Sequence, residues 1–246
     1  MLVAALLAGA CSGGSPGADP HDDGPPPVYV AVGASESVGL GADDPGSQAW
    51  PEVFRRQALP PRTVFVNLGI EGATTAEALD EQLPGALEAE PDLVTVWLNV
   101  NDILDRVAPD QYEQQLGDMV GQLGRGGRTK VMVANTPEID QLPVVARFGP
   151  AGAALADQLV RAYNEATARV VAGEGAVLVD LHRASQEAKR EGRFASLVAA
   201  DGFHPSTAGH AEVARLFSET FRASGGFPEA GRRPRVVQAP VAAISW

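Results

Sequence analysis

Four short segments of the 246-residue chain carry side chains suited to nucleophilic chemistry. The first is Gly33-Ala34-Ser35-Glu36-Ser37-Val38-Gly39, which directly follows an apolar, β-branched run from Val28 to Val32. That order places Ser35 at the carboxyl edge of a sheet, where a following helix aims backbone N–H groups at a ligand. It is not the G-x-S-x-G elbow, because the residue two after Ser35 is another serine and the site follows the first strand. Near the C-terminus, Asp201-Gly202-Phe203-His204-Pro205 sets a carboxylate and an imidazole within one turn. Asp201 can then hold one ring nitrogen of His204 and fix its tautomer, leaving the other nitrogen to take a serine proton. Between them lie Asn67-Leu68-Gly69-Ile70-Glu71-Gly72-Ala73-Thr74 and Leu98-Asn99-Val100-Asn101-Asp102. Gly72 offers a bare backbone N–H and Asn101 a neutral side-chain donor, which with the Ser35 N–H would make an oxyanion hole.

These segments need a scaffold that brings them to one place. Strand-like runs recur at Val28 to Val32, Thr63 to Asn67, Leu93 to Leu98, Lys130 to Ala134 and Ala176 to Asp180. Helical patterns separate them: Trp50 to Leu59, Ala76 to Leu87 after Thr75, Gln111 to Leu123 after Asp110, and Ala151 to Val171. A last helix is expected from Ser206 to Phe221, with Ser206 or Thr207 as its cap. The alternation predicts a three-layer α/β/α domain, a flavodoxin-like doubly wound sheet of five parallel strands in order 2-1-3-4-5. In that order the first strand lies between the second and third, so Ser35, Gly72 and Asn101 converge at the topological switch point.

Taken together and in this order, the Gly-x-Ser, Asn…Gly, Asn-Asp and D-x-x-H blocks resemble the SGNH (GDSL-like) hydrolase family, from about Val28 to Phe221. Trp50-Pro51 at the first long helix is a further likeness. The resemblance implies a serine esterase with Ser35 as nucleophile, His204 as base, Asp201 as its orienting partner, and Ser35, Gly72 and Asn101 as oxyanion donors. Two positions depart from the family's usual motifs: Ala34 stands where Gly-Asp-Ser is common, and Asn99 where Gly-x-Asn-Asp is common. Val100 adds an apolar wall beside Asn101. The substrate class implied is a small-molecule or glycan acyl ester, and an open, shallow site would favour short acyl chains. Two rivals remain open at this point: an envelope glycan O-acyltransferase using the same residues, and a catalytically silent envelope-binding module of the same fold.

Composition narrows the field further. A formal net charge of −12 argues against nucleic acid as a partner. Neither a Gly-rich phosphate loop nor paired metal ligands nor C-x-x-C is present in the sequence, so no cofactor and no metal are implied. His182, placed at the end of the fifth strand, and His210, within the last helix, read as structural histidines, and Asp102 and Asp180 as strand-end acids. Leu2 to Ala10 suits a signal peptide over residues 1–10, and the small residues flanking Cys11 resemble a bacterial lipoprotein signal in which Cys11 is acylated. The expected organisation is then a Gly, Pro, Ser and Asp-rich tether over 11–27, the hydrolase domain over 28–224 and an irregular tail over 225–246. Any membrane contact would run through that lipid anchor, giving an extracytoplasmic cell-surface lipoprotein, or otherwise a secreted protein, that acts as a monomer.

Overall fold

The computed structural model describes residues 25–124 and 127–228. The leader, Cys11 and most of the expected tether lie outside the described residues, as does the tail beyond residue 228.

Five strands, β1 (Val28–Gly33), β2 (Val64–Asn67), β3 (Leu93–Trp97), β4 (Lys130–Ala134) and β5 (Val177–Val179), form one sheet in the order β2-β1-β3-β4-β5. All four pairings are parallel. The helices are α1 (Ser35–Val38), α2 (Pro45–Gln48), α3 (Trp50–Ala58), α4 (Thr75–Glu81), α5 (Leu83–Glu88), α6 (Val100–Leu104), α7 (Pro109–Leu123), α8 (Pro143–Ala146), α9 (Gly149–Glu174), α10 (Leu181–Arg190) and α11 (Thr207–Ala223).

Alternate residues of the central strands supply two separate cores, as the period of two in a strand requires. Val28, Val30, Val32, Val94 and Val96 join Tyr112, Leu116, Met119, Val160 and Tyr163 of α7 and α9 on one face. Tyr29, Ala31, Leu93 and Trp97 join Trp50, Phe54, Phe217 and Phe221 of α3 and α11 on the other. The Trp50 ring stacks on Phe217 with centroids 4.3 Å apart. Trp50 therefore serves as a core anchor for the helix that carries the C-terminal loop. Among the described residues no helix is long and apolar enough to cross a membrane.

Three local expectations are corrected. The single helix over Ala76 to Leu87 is two, α4 and α5, parted at Gln82. Pro84 lacks the N–H that would bond back one turn, and its ring crowds the preceding turn, so the helix restarts with Pro84 in its first turn. The cap of α4 is Thr74, in a reciprocal capping box with Glu77. His182 lies in the first turn of α10, one residue after Leu181 opens that helix, rather than at the end of β5. Asp180 caps α10 by accepting from the Arg183 N–H, a start signal that ends the strand early.

Candidate active site

β1 is buried along its whole length and delivers Ser35 to the carboxyl edge of the sheet, with Gly33 in register with Trp97 of β3. The turn from β1 into α1 needs glycine: a Cβ at Gly33 would lie 2.0 Å from Ser37 Oγ. Gln82, fully buried at the α4–α5 break, grips both backbone groups of Gly33: Oε1 accepts from its N–H and Nε2 donates to its C=O, each at 3.0 Å. Asn67 at the end of β2 donates to Ser37 O at 2.7 Å. The turn is thus fixed on both sides, and Ser35, only 5% exposed, sits on it.

His204 reaches the same point from the far end of the chain. Asp201 Oδ1 accepts from the N–H groups of Phe203 and His204 at 2.9 and 3.0 Å, closing a tight turn. Asp201 Oδ2 lies 2.6 Å from His204 Nδ1, and His204 Nε2 lies 3.0 Å from Ser35 Oγ. A carboxylate on Nδ1 makes that nitrogen the donor, so Nε2 is left to accept from the serine hydroxyl. Burial would raise the Asp201 carboxyl, but the His204 ring and the two N–H groups together hold it below its ordinary value. The loop is pinned by Ala199 N donating to His204 O, and by Ser206, which caps α11 by accepting from Gly209 N. It also packs onto Gly41, where a Cβ would stand 2.3 Å from Pro205 O and 2.9 Å from His204 Cβ.

The two remaining loops are tied to each other. Asn101 Nδ2 donates to Ala73 O at 3.0 Å, which uses one of its two N–H bonds. Asp102, fully buried, accepts from the Thr75 N–H and hydroxyl at 3.0 to 3.1 Å. Burial pushes its carboxyl up to about 6 against the pull of those bonds. Gly72 lies exposed on the loop just before Ala73, and among the described residues the Ser35 and Gly72 N–H groups donate to no protein acceptor. Asn99 stands where the resembling family commonly has glycine, and its backbone makes the cost plain. Its φ is 150°, in the region L-residues avoid, and its buried amide makes no hydrogen bond among the described residues.

Ser35, Asn101 and His204 line one cleft of about 130 Å³, and Gly72 is not among its lining residues. Val100 does line it, and the wall beyond is largely apolar, from Ile139, Leu142, Leu181, Leu197, Val213 and Leu216. A polar exception stands beside the serine. Glu36 is half-buried, with Oε2 3.4 Å from Ser35 Oγ and Oε1 3.3 Å from Ala34 N. Burial pushes its carboxyl up to about 7, against the pull of weak backbone and hydroxyl contacts and of His204.

Sequence reasoning missed Gln82, the Asp102–Thr75 tie and Glu36 as site features. Glu36 was detectable as the residue after the candidate nucleophile, whereas nothing in sequence spacing marks Gln82 as a partner of Gly33. His210 is fully buried, donates from Nε2 to Leu40 O at 2.9 Å and faces Trp50 N through Nδ1, and burial lowers its pKa. That is a structural histidine. His182 pairs with Gln186 at 3.1 Å, one turn along α10.

A hydroxyl, an imidazole and a carboxylate in one hydrogen-bonded line, on a serine that directly follows the first strand of a doubly wound sheet, define a class of three-layer α/β hydrolases. The family profile for GDSL-like lipases and acylhydrolases matches residues 31–212. Esterase TesA of Pseudomonas aeruginosa is 31% identical over 184 residues, 74% of this chain and 81% of that protein. A crystal structure of TesA is 28% identical, with a TM-score of 0.60 over 80% of this chain and 98% of its own. The fold alone is shared with the lipase/acylhydrolase from Enterococcus faecalis, at 20% identity and a TM-score of 0.65 over 80% of this chain and 96% of the other. This chain belongs to the GDSL-like lipase/acylhydrolase family, the SGNH hydrolases, and is a hydrolase.

Proposed function

We propose that this hydrolase cleaves carboxylic esters through an acyl-enzyme, with Ser35 as nucleophile, His204 as general base and acid, and Asp201 orienting the imidazole. The observation that carries the reading is the continuous relay from Asp201 through His204 to Ser35, at 2.6 and 3.0 Å, opening on an apolar cleft. As Ser35 Oγ attacks the carbonyl carbon, its proton passes to His204 Nε2 and the carbonyl oxygen becomes an oxyanion. The N–H of Ser35 and the second N–H of Asn101 receive that charge, and the Gly72 N–H, on the loop tied to Asn101 but outside the cleft lining, joins them only if that loop closes over the substrate. His204 then protonates the departing alcohol, and water repeats the sequence to release the acid.

The name of the relative, Esterase TesA, supports an ester as the bond cleaved. The apolar wall supports an acyl group longer than acetyl, because each methylene removed from water contributes about 0.8 kcal/mol. With para-nitrophenyl esters of increasing acyl length, kcat/KM is expected to rise about threefold or more per methylene from acetate until the cleft is filled. Chromatography of the products should show free acid in water, with added sugar alcohols drawing off little of the acyl group. A rate highest on acetate, with acyl transfer to the sugar dominant, would contradict the proposed ester hydrolysis and favour the transferase.

The hydrolase domain is assigned to residues 28–224. The run Leu2 to Ala10 before Cys11 supports an extracytoplasmic protein held at the cell surface by acylation of Cys11.

A further inference from the structure

Three carboxylates line the cleft, Glu36, Glu138 and Glu212, and no lysine or arginine does. Glu138 is paired with Lys189 at 2.8 Å and Glu212 with Arg215 at 2.8 Å. Among the described residues Glu36 has no lysine or arginine partner. The contacts it accepts from Ala34 N and Ser35 Oγ, at 3.3 and 3.4 Å, are long for bonds to a carboxylate, which are ordinarily nearer 2.8 Å. In its ionised form a carboxyl group this close to the nucleophile also works against a plain ester, since it repels the negative charge that grows on the carbonyl oxygen.

Both problems are answered by the same kind of substrate. A carbonyl carbon poised for attack stands about 3 to 3.5 Å from Ser35 Oγ, and a substituent on the adjacent carbon is two bonds further on. With the acyl chain turned toward Glu36, such a substituent comes within hydrogen-bond reach of Oε2, which lies 3.4 Å from the same oxygen. We infer that Glu36 is the acyl-specificity residue of this site, receiving a hydrogen-bond donor, an ammonium or a hydroxyl, on the carbon next to the scissile carbonyl. The preferred acyl donors are then aminoacyl or α-hydroxyacyl esters, with the apolar wall taking the remainder of the acyl chain. An ammonium there completes the missing ion pair and cancels the charge facing the oxyanion, while an anionic acyl group is repelled.

This rests on Ser35 being the nucleophile, and the test separates the two claims. The para-nitrophenyl esters of butyrate, α-aminobutyrate and α-hydroxybutyrate, and the succinate half-ester, are compared on wild type and Glu36→Gln, each kcat/KM divided by the uncatalysed rate. Wild type is expected to favour at least one donor-bearing ester over butyrate by about tenfold or more, and to disfavour the succinate half-ester. In Glu36→Gln the preference for the amino ester should fall at least about fivefold and the penalty on succinate should shrink, because the charge is gone while the amide still accepts. Loss of the amino preference alone identifies the donor as an ammonium; loss of the hydroxy preference as well makes it either group. If wild type prefers butyrate to both donor-bearing esters, the specificity assignment fails even without the variant, and Ser35-dependent turnover of butyrate leaves the esterase reading standing. An unchanged preference in a folded Glu36→Gln protein also overturns it. If none of the four esters is hydrolysed, both claims fall together.

Discussion

Ser35→Ala is expected to lower kcat for ester hydrolysis on the order of 10⁴- to 10⁶-fold, leaving only what the oxyanion donors and binding supply. The atom removed is the one that forms the covalent bond, and the neighbouring Ser37 hydroxyl cannot take its place, being buried against Gly33. KM should change far less, since the cleft wall is untouched. The melting temperature should stay within a few degrees of wild type, because among the described residues Ser35 Oγ bonds only to His204 and, weakly, to Glu36. Steady-state kinetics beside a thermal melt makes the check. A variant retaining a tenth of wild-type kcat would show that the ester bond is broken elsewhere.

Loss of the imidazole is expected to cost nearly as much. His204→Ala should lower kcat on the order of 10⁴- to 10⁶-fold, and adding Ser35→Ala should lower it hardly further, because the two side chains act as one unit. The geometry behind this is the 3.0 Å contact from Nε2 to Oγ, set by a loop whose turn is closed by Asp201 and whose packing depends on Gly41. Asp201 keeps nearly half its side-chain surface, against 17% for His204. Its carboxylate is therefore partly served by water, and the imidazole carries more of the effect. Multiplicative losses in the double variant would mean that His204 and Ser35 act in separate steps, contrary to a relay.

Much of this arrangement is legible from the chain because its causes are local. The runs at Val28, Leu93 and Lys130 are nearly continuous in apolar residues because both faces of a central strand are covered, and their alternation with helical patterns yields the order β2-β1-β3-β4-β5. D-x-x-H is readable because one tight turn suffices to bring Asp201 onto His204. What escapes sequence reading depends on contacts between distant segments. Gln82 grips Gly33 only because Pro84 breaks a helix and turns a polar side chain inward. Asp102 reads as a strand-end acid, yet its work is to stitch the Asn101 loop to the Gly72 loop through Thr75. Asn99 shows the reverse: its departure from glycine is visible in the sequence, but the strain appears only with a φ of 150°.

The central claim, that Ser35 is an activated nucleophile, is tested most directly by incubating the full chain with a fluorophosphonate and locating the adduct by peptide mass spectrometry. A phosphonyl group is expected on Ser35, absent from Ser35→Ala and formed far more slowly in His204→Ala. Wild-type protein that stays unmodified, or an adduct that persists on another residue in Ser35→Ala, would contradict it.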